Sequence, residues 1–100
     1  MDRISSESSE ESLTPQEAYL HRVRGLVESV SVMLTDDEKR NVHHLIDHSE
    51  PAEGLMTLAW IIVEGRKRVP AATIAAIREL TAGLVDPADL PADLDAHAEG

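Results

Sequence analysis

The sequence predicts an all-α fold: a compact four-helix bundle with disordered acidic termini. Three observations carry this. Apolar residues recur at helical spacing in four segments of the chain. Thr-x-x-Glu boxes and prolines stand where those segments begin. The 100 residues include no Phe and no Cys, with one Trp and one Tyr, so the core must come from Leu, Ile, Val, Ala and Met. Small and unbranched side chains lose little freedom in a helix, which suits that composition to a bundle. The organisation expected is a Ser/Glu-rich leader over 1–12, a helical domain over 13–85 and an Asp/Pro-rich tail over 86–100.

The first helix is expected over 15–34. Thr14 caps it, Pro15 fits the first helical position and Glu17 completes a capping box. Tyr19, Val23, Leu26, Val27, Val30 and Met33 then share one face. The second, over 36–48, opens on Thr35-Asp36-Asp37-Glu38, with its acids at the positive end of the helix dipole. Val42, Leu45 and Ile46 form its apolar stripe.

Pro51 opens the third helix, over 51–64, capped by Ser49 or Glu50. Leu55, Leu58, Ala59, Ile62 and Val63 make its main stripe, and Met56, Trp60 and Ile61 add apolar groups on other sides. A helix apolar nearly all round is central, or offers one side to something else. Gly65 is expected as its left-handed cap, with Arg66, Lys67 and Arg68 complementing the negative pole. The fourth helix, over 71–83, carries Ile74, Ile77, Leu80 or Thr81, and Leu84 on one side, and Gly83 closes it.

The termini read differently. Residues 1–12 have almost no apolar side chain to repay the cost of ordering. In 86–100, Leu90 and Leu94 offer loose docking, and the chain from Asp95 onward should fray and be dispensable for folding. The net charge of −10 sits mainly in these ends. Asp2, Glu7, Glu10 and Glu11 against Arg3 give −3; Asp86, Asp89, Asp93, Asp95 and Glu99 give −5; the middle keeps −2.

An acidic chain gains little from releasing the counterions of phosphate, which argues against nucleic acid as a partner. It is steered instead toward a basic protein. A helix-turn-helix reading of Val69 to Leu84 fails on polarity, since Arg78 is its single base after Pro70. The longest apolar stretch, Leu55 to Val63, falls far short of the roughly 20 residues a membrane span needs, so no membrane partner is expected. The lack of cysteine fits a reducing cytoplasm, and no apolar run suggests a secretory signal.

The residues that invite a functional reading are few. His43, His44 and His48 hint at a metal, and His44 and His48 share a helix face. A metal site needs further ligands and an outer shell, so a solvated polar face is preferred and no cofactor is expected. No nucleophile stands beside a base and no phosphate loop is present, so no catalytic residue is assigned. That leaves Trp60, Met56, Arg66, Lys67, His43 and His44 as candidate partner-binding residues. Trp60 has a competing role in the core, and Arg66 and Lys67 as a solvated helix terminus.

The segment Leu45-Ile46-Asp47-His48-Ser49-Glu50-Pro51-Ala52-Glu53-Gly54-Leu55-Met56-Thr57-Leu58-Ala59 resembles the central signature of the MafI-type immunity proteins. These are small helical partners of bacterial polymorphic toxins. The resemblance runs over about residues 23–85, with Arg68-Val69-Pro70 as the loop before a fourth amphipathic helix. The Arg66-Lys67-Arg68 run departs from the pattern. The resemblance implies a non-enzymatic protein that neutralises a cognate toxin, with a basic nuclease suited to the chain's charge. The rival readings are a small regulatory or scaffold subunit that forms a homo-oligomer through the third helix, and a DNA-binding regulator.

Overall fold

The computed structural model describes residues 14–48 and 50–99. The leader over 1–12 and the candidate cap Ser49 lie outside the described residues. Four helices form the body: α1 Pro15–Ser29, α2 Asp36–Asp47, α3 Pro51–Glu64 and α4 Ala71–Thr81. Two-residue strands, β1 Val69–Pro70 and β2 Ala98–Glu99, pair in parallel. No helix among the described residues is long and apolar enough to cross a membrane.

Both capping boxes form. The Thr14 hydroxyl accepts from the Glu17 amide at 3.0 Å, and the Glu17 carboxylate accepts from the Thr14 amide at 2.9 Å. Thr35 and Glu38 repeat the exchange at 3.1 and 2.9 Å. Each box satisfies two amides that the helix itself leaves without partners.

The first helix is shorter than expected, because α1 stops at Ser29 and a separate 3-10 turn covers Ser31–Met33. The reason lies in Ser29-Val30-Ser31. The Ser29 hydroxyl donates to the Leu26 carbonyl at 2.6 Å and that of Ser31 to Glu28 at 3.0 Å, competing for acceptors that continuation of the helix would use. The residues on either side of the turn, Val30 and Leu34, are still buried.

One core joins the four helices. Val23 and Val27 of α1, Val42 and Ile46 of α2, Leu55, Leu58, Ala59 and Ile62 of α3, and Ile74, Ile77 and Leu80 of α4 are all buried. α3 is central, touching α1, α2 and α4. Gly54 lets α2 and α3 approach: a Cβ there would sit 3.0 Å from Ile46 Cγ1 and 3.3 Å from the Val42 carbonyl. Thr81 is buried beside Leu80, its hydroxyl bonded to the Ile77 carbonyl at 2.8 Å. Leu84 is not on that face; it is 63% exposed, because Gly83 at φ 78° turns the chain out of the helix first.

The tail is the largest correction. It does not fray from Asp95. Leu90 and Leu94 are buried, Leu94 completely, and the 3-10 turn Leu94–His97 packs on α3 and α4. Val69 pairs with Ala98 and Pro70 with Glu99. Arg78 holds the Asp95 carboxylate at 3.2 Å. Leu-rich turns at this spacing bury enough apolar surface to order a segment that charge and proline alone would leave loose.

Candidate functional site

The basic loop after α3 is a structural joint. Gly65 is not its left-handed residue: Gly65 has φ −84°, and Arg66 takes φ 54°. The Arg66 amide bonds the Val63 carbonyl at 3.1 Å and the Lys67 amide the Ile62 carbonyl at 2.9 Å, the paired bonds of a Schellman ending. Glycine is needed at 65 for space, since a Cβ there would lie 2.9 Å from the Ile61 carbonyl oxygen. The left-handed position thus falls one residue later, on an arginine.

Lys67 and Arg68 are turned to internal use. Lys67 Nζ lies 3.4 Å from Glu38 Oε1, with the lysine side chain only 18% exposed. The Thr35 amide, the largest influence, and Lys67 together hold the Glu38 carboxyl below its ordinary value of 4.5, against the opposing effect of partial burial. The Lys67 carbonyl accepts from His97 Nδ1 at 2.9 Å, which fixes the proton on that nitrogen. Arg68 donates to the Ala98 carbonyl at 3.4 Å. Of the three bases, Arg66 alone has no ion-pair or side-chain hydrogen-bond partner among the described residues.

Trp60 and Met56 are committed in the same way. Trp60 is 40% exposed, and its indole Nε1 donates to the Asp89 carbonyl at 2.9 Å, tying α3 to the C-terminal segment. It is neither full core nor a free anchor. Met56 is half-buried against the core. His43 Nε2 lies 3.6 Å from Glu28 Oε2, joining α2 to α1. His44 is exposed, its ring centroid 4.1 Å from that of His48, whose Nδ1 bonds the His44 carbonyl at 2.8 Å. Among the described residues, no group of three or more His, Cys, Asp or Glu is arranged to hold a metal ion.

The six candidates therefore do not converge. Trp60 serves the C-terminal segment, the Lys67 side chain pairs with Glu38, Met56 packs on the core, His43 pairs with Glu28, and His44 and Arg66 are exposed.

A different place gathers carboxylates that have no ion-pair partner among the described residues. Where the starts of α1 and α3 meet the end of α4, an open groove of about 460 Å³ is lined by Gln16, Tyr19, Glu50, Pro51, Ala52, Glu53 and Leu84. The Tyr19 hydroxyl donates to the Leu80 carbonyl, fixing the ring as a wall. Burial raises its pKa above the ordinary 10.0, with Arg22 pulling the other way, so the phenol remains a donor. Leu84 is the apolar side chain left in solvent there. Glu50 and Glu53 are exposed, and none of the seven lining residues is basic. Arg22, close to Tyr19, is taken by Glu79 at 3.5 Å.

Sequence reasoning missed this groove because it placed Leu84 on the buried stripe and read Glu50 as a cap alone.

Comparison with protein-family models, curated proteins and solved structures gives no match to this chain.

Proposed function

We propose that this chain is a non-enzymatic protein-binding module of the immunity type, which neutralises a cognate bacterial toxin by covering its active surface. One observation carries the reading. The segment that resembles the MafI-type signature contributes four of the seven residues of the acidic groove, Glu50, Pro51, Ala52 and Glu53, facing the exposed Leu84. The groove sets apolar walls beside two carboxylates that have no ion-pair partner among the described residues, a mixture that suits an interface with a polar rim. The groove's sign suits a basic partner such as a nuclease. Neutralising a toxin inside its producer implies a cytoplasmic protein.

Self-association through α3 has less support, because α1, α2, α4 and the C-terminal turn already cover that helix. The test is genetic and direct. The gene should lie beside one for a secreted toxin, and co-expression should rescue growth from that toxin's C-terminal domain. A neighbourhood without a toxin, or a toxin that kills equally with and without the chain, defeats the reading.

A further inference from the structure

We infer that the groove between the starts of α1 and α3 and the end of α4 receives a basic side chain of the partner, flanked by an apolar one. The inference rests on the protein-binding reading above and says what chemistry the partner brings. Glu50 stands at the N-cap of α3 and Glu53 three residues on, so both carboxylates rim one end of the groove. Tyr19, Pro51, Ala52 and Leu84 supply the apolar walls. Lys and Arg fit such a place, because their stems lie along apolar surface while the charged head reaches the carboxylates. A volume of about 460 Å³ accommodates the side chains of one short segment but no folded element.

The other occupants are less well matched. A helix start ordinarily attracts an anion. Here Pro51 has no amide proton, the Gly54 amide is bonded to the Glu50 carbonyl, and two carboxylates already supply the negative charge. The leader carries the groove's own sign, with Asp2, Glu7, Glu10 and Glu11 against Arg3. A second copy could offer only Arg66 from the loop after α3, since Lys67 and Arg68 are engaged, and Arg66 stands between Gly65 and Lys67 with no apolar neighbour in sequence to fill the groove beside it.

The experiment titrates the full-length ¹⁵N-labelled chain with the peptide acetyl-Gly-Leu-Lys-Leu-Arg-Gly-amide, and separately with its acidic counterpart carrying Glu for Lys and Arg. The basic peptide should shift the amides of Gln16, Tyr19, Ala52, Glu53 and Leu84, and the acidic one should not. Raising salt should weaken the binding. The double variant Glu50→Gln with Glu53→Gln, and separately Leu84→Ser, should each weaken it about tenfold while leaving the rest of the spectrum in place.

Absent shifts, equal shifts with the acidic peptide, or shifts confined to the acids of 86–99 would overturn the inference. So would a Leu84→Ser variant that binds unchanged, since charge alone would then explain the contact. Toxin rescue without groove shifts defeats the groove and leaves the immunity reading. Groove shifts without rescue do the reverse.

Discussion

The two ends of α3 are treated oppositely. At its C-terminal end the chain folds back on itself: Lys67 meets Glu38, His97 bonds the Lys67 carbonyl, Arg68 reaches Ala98, and β1 pairs with β2. At its N-terminal end Glu50, Glu53 and Leu84 stand around an open groove. The end with the conspicuous basic run is closed, and the end with the inconspicuous residues is open. A charge run shows where charge is, not whether it is spent. Internal partners decide that, and here they come from Glu38 upstream and from His97 and Ala98, some thirty residues downstream.

If this contrast is right, damage to the closed end should cost stability. Leu94→Ala removes a completely buried side chain under α3 and should lower stability by about 2–5 kcal/mol, read by chemical denaturation. An unchanged midpoint would mean the C-terminal segment is only resting on the bundle. Trp60→Phe keeps an aromatic ring but loses the donor to the Asp89 carbonyl, for a cost of about 1 kcal/mol. Arg66→Gly should act in the opposite sense and raise stability by about 0.5–1 kcal/mol, because φ 54° strains an arginine and not a glycine. A fall in melting temperature for this variant would show that the Arg66 side chain has a structural partner after all.

The Glu38 carboxyl sharpens the contrast through pH. Its pKa is lowered in the folded chain, so its contribution is present above the ordinary 4.5 and is lost as pH falls through the lowered value. Acid denaturation should therefore be less steep in Glu38→Gln, which retains an acceptor for the Thr35 amide but gives Lys67 no charge. Smallest of all, at the open end, Leu84→Ser should change stability by less than about 0.5 kcal/mol, since the side chain is mostly in solvent. A larger loss would make Leu84 a core residue and close the groove as a candidate.

The helices were legible because their signals are local. Thr14 with Glu17, Thr35 with Glu38, and Pro51 each announce a start within four residues, and the stripes of Val23 and Val27 or Leu58 and Ile62 follow from one period. The early end of α1 was less visible, because serine hydroxyls act on carbonyls three residues back without breaking the apolar pattern. The C-terminal segment was misjudged on composition: its prolines and aspartates hid two leucines whose partners are distant in sequence. The left-handed residue was assigned to Gly65 by habit of residue type, when a close carbonyl was what that glycine answered. The candidate groove could not be read locally at all, since it joins Tyr19, Glu50 and Leu84 from three separate elements.

The bond from Trp60 to Asp89 has a kinetic consequence. It spans 29 residues, and the His97 and Arg68 bonds each span 30, whereas the capping boxes span three. Closing a loop costs entropy before any contact repays it, so the individual helices, which need only local contacts, should form before the C-terminal segment closes on α3. Trp60 is the sole tryptophan, and it sits at that closing contact. Its emission is therefore a built-in clock for that closure, and far-ultraviolet circular dichroism, which follows helix formation, should run ahead of it.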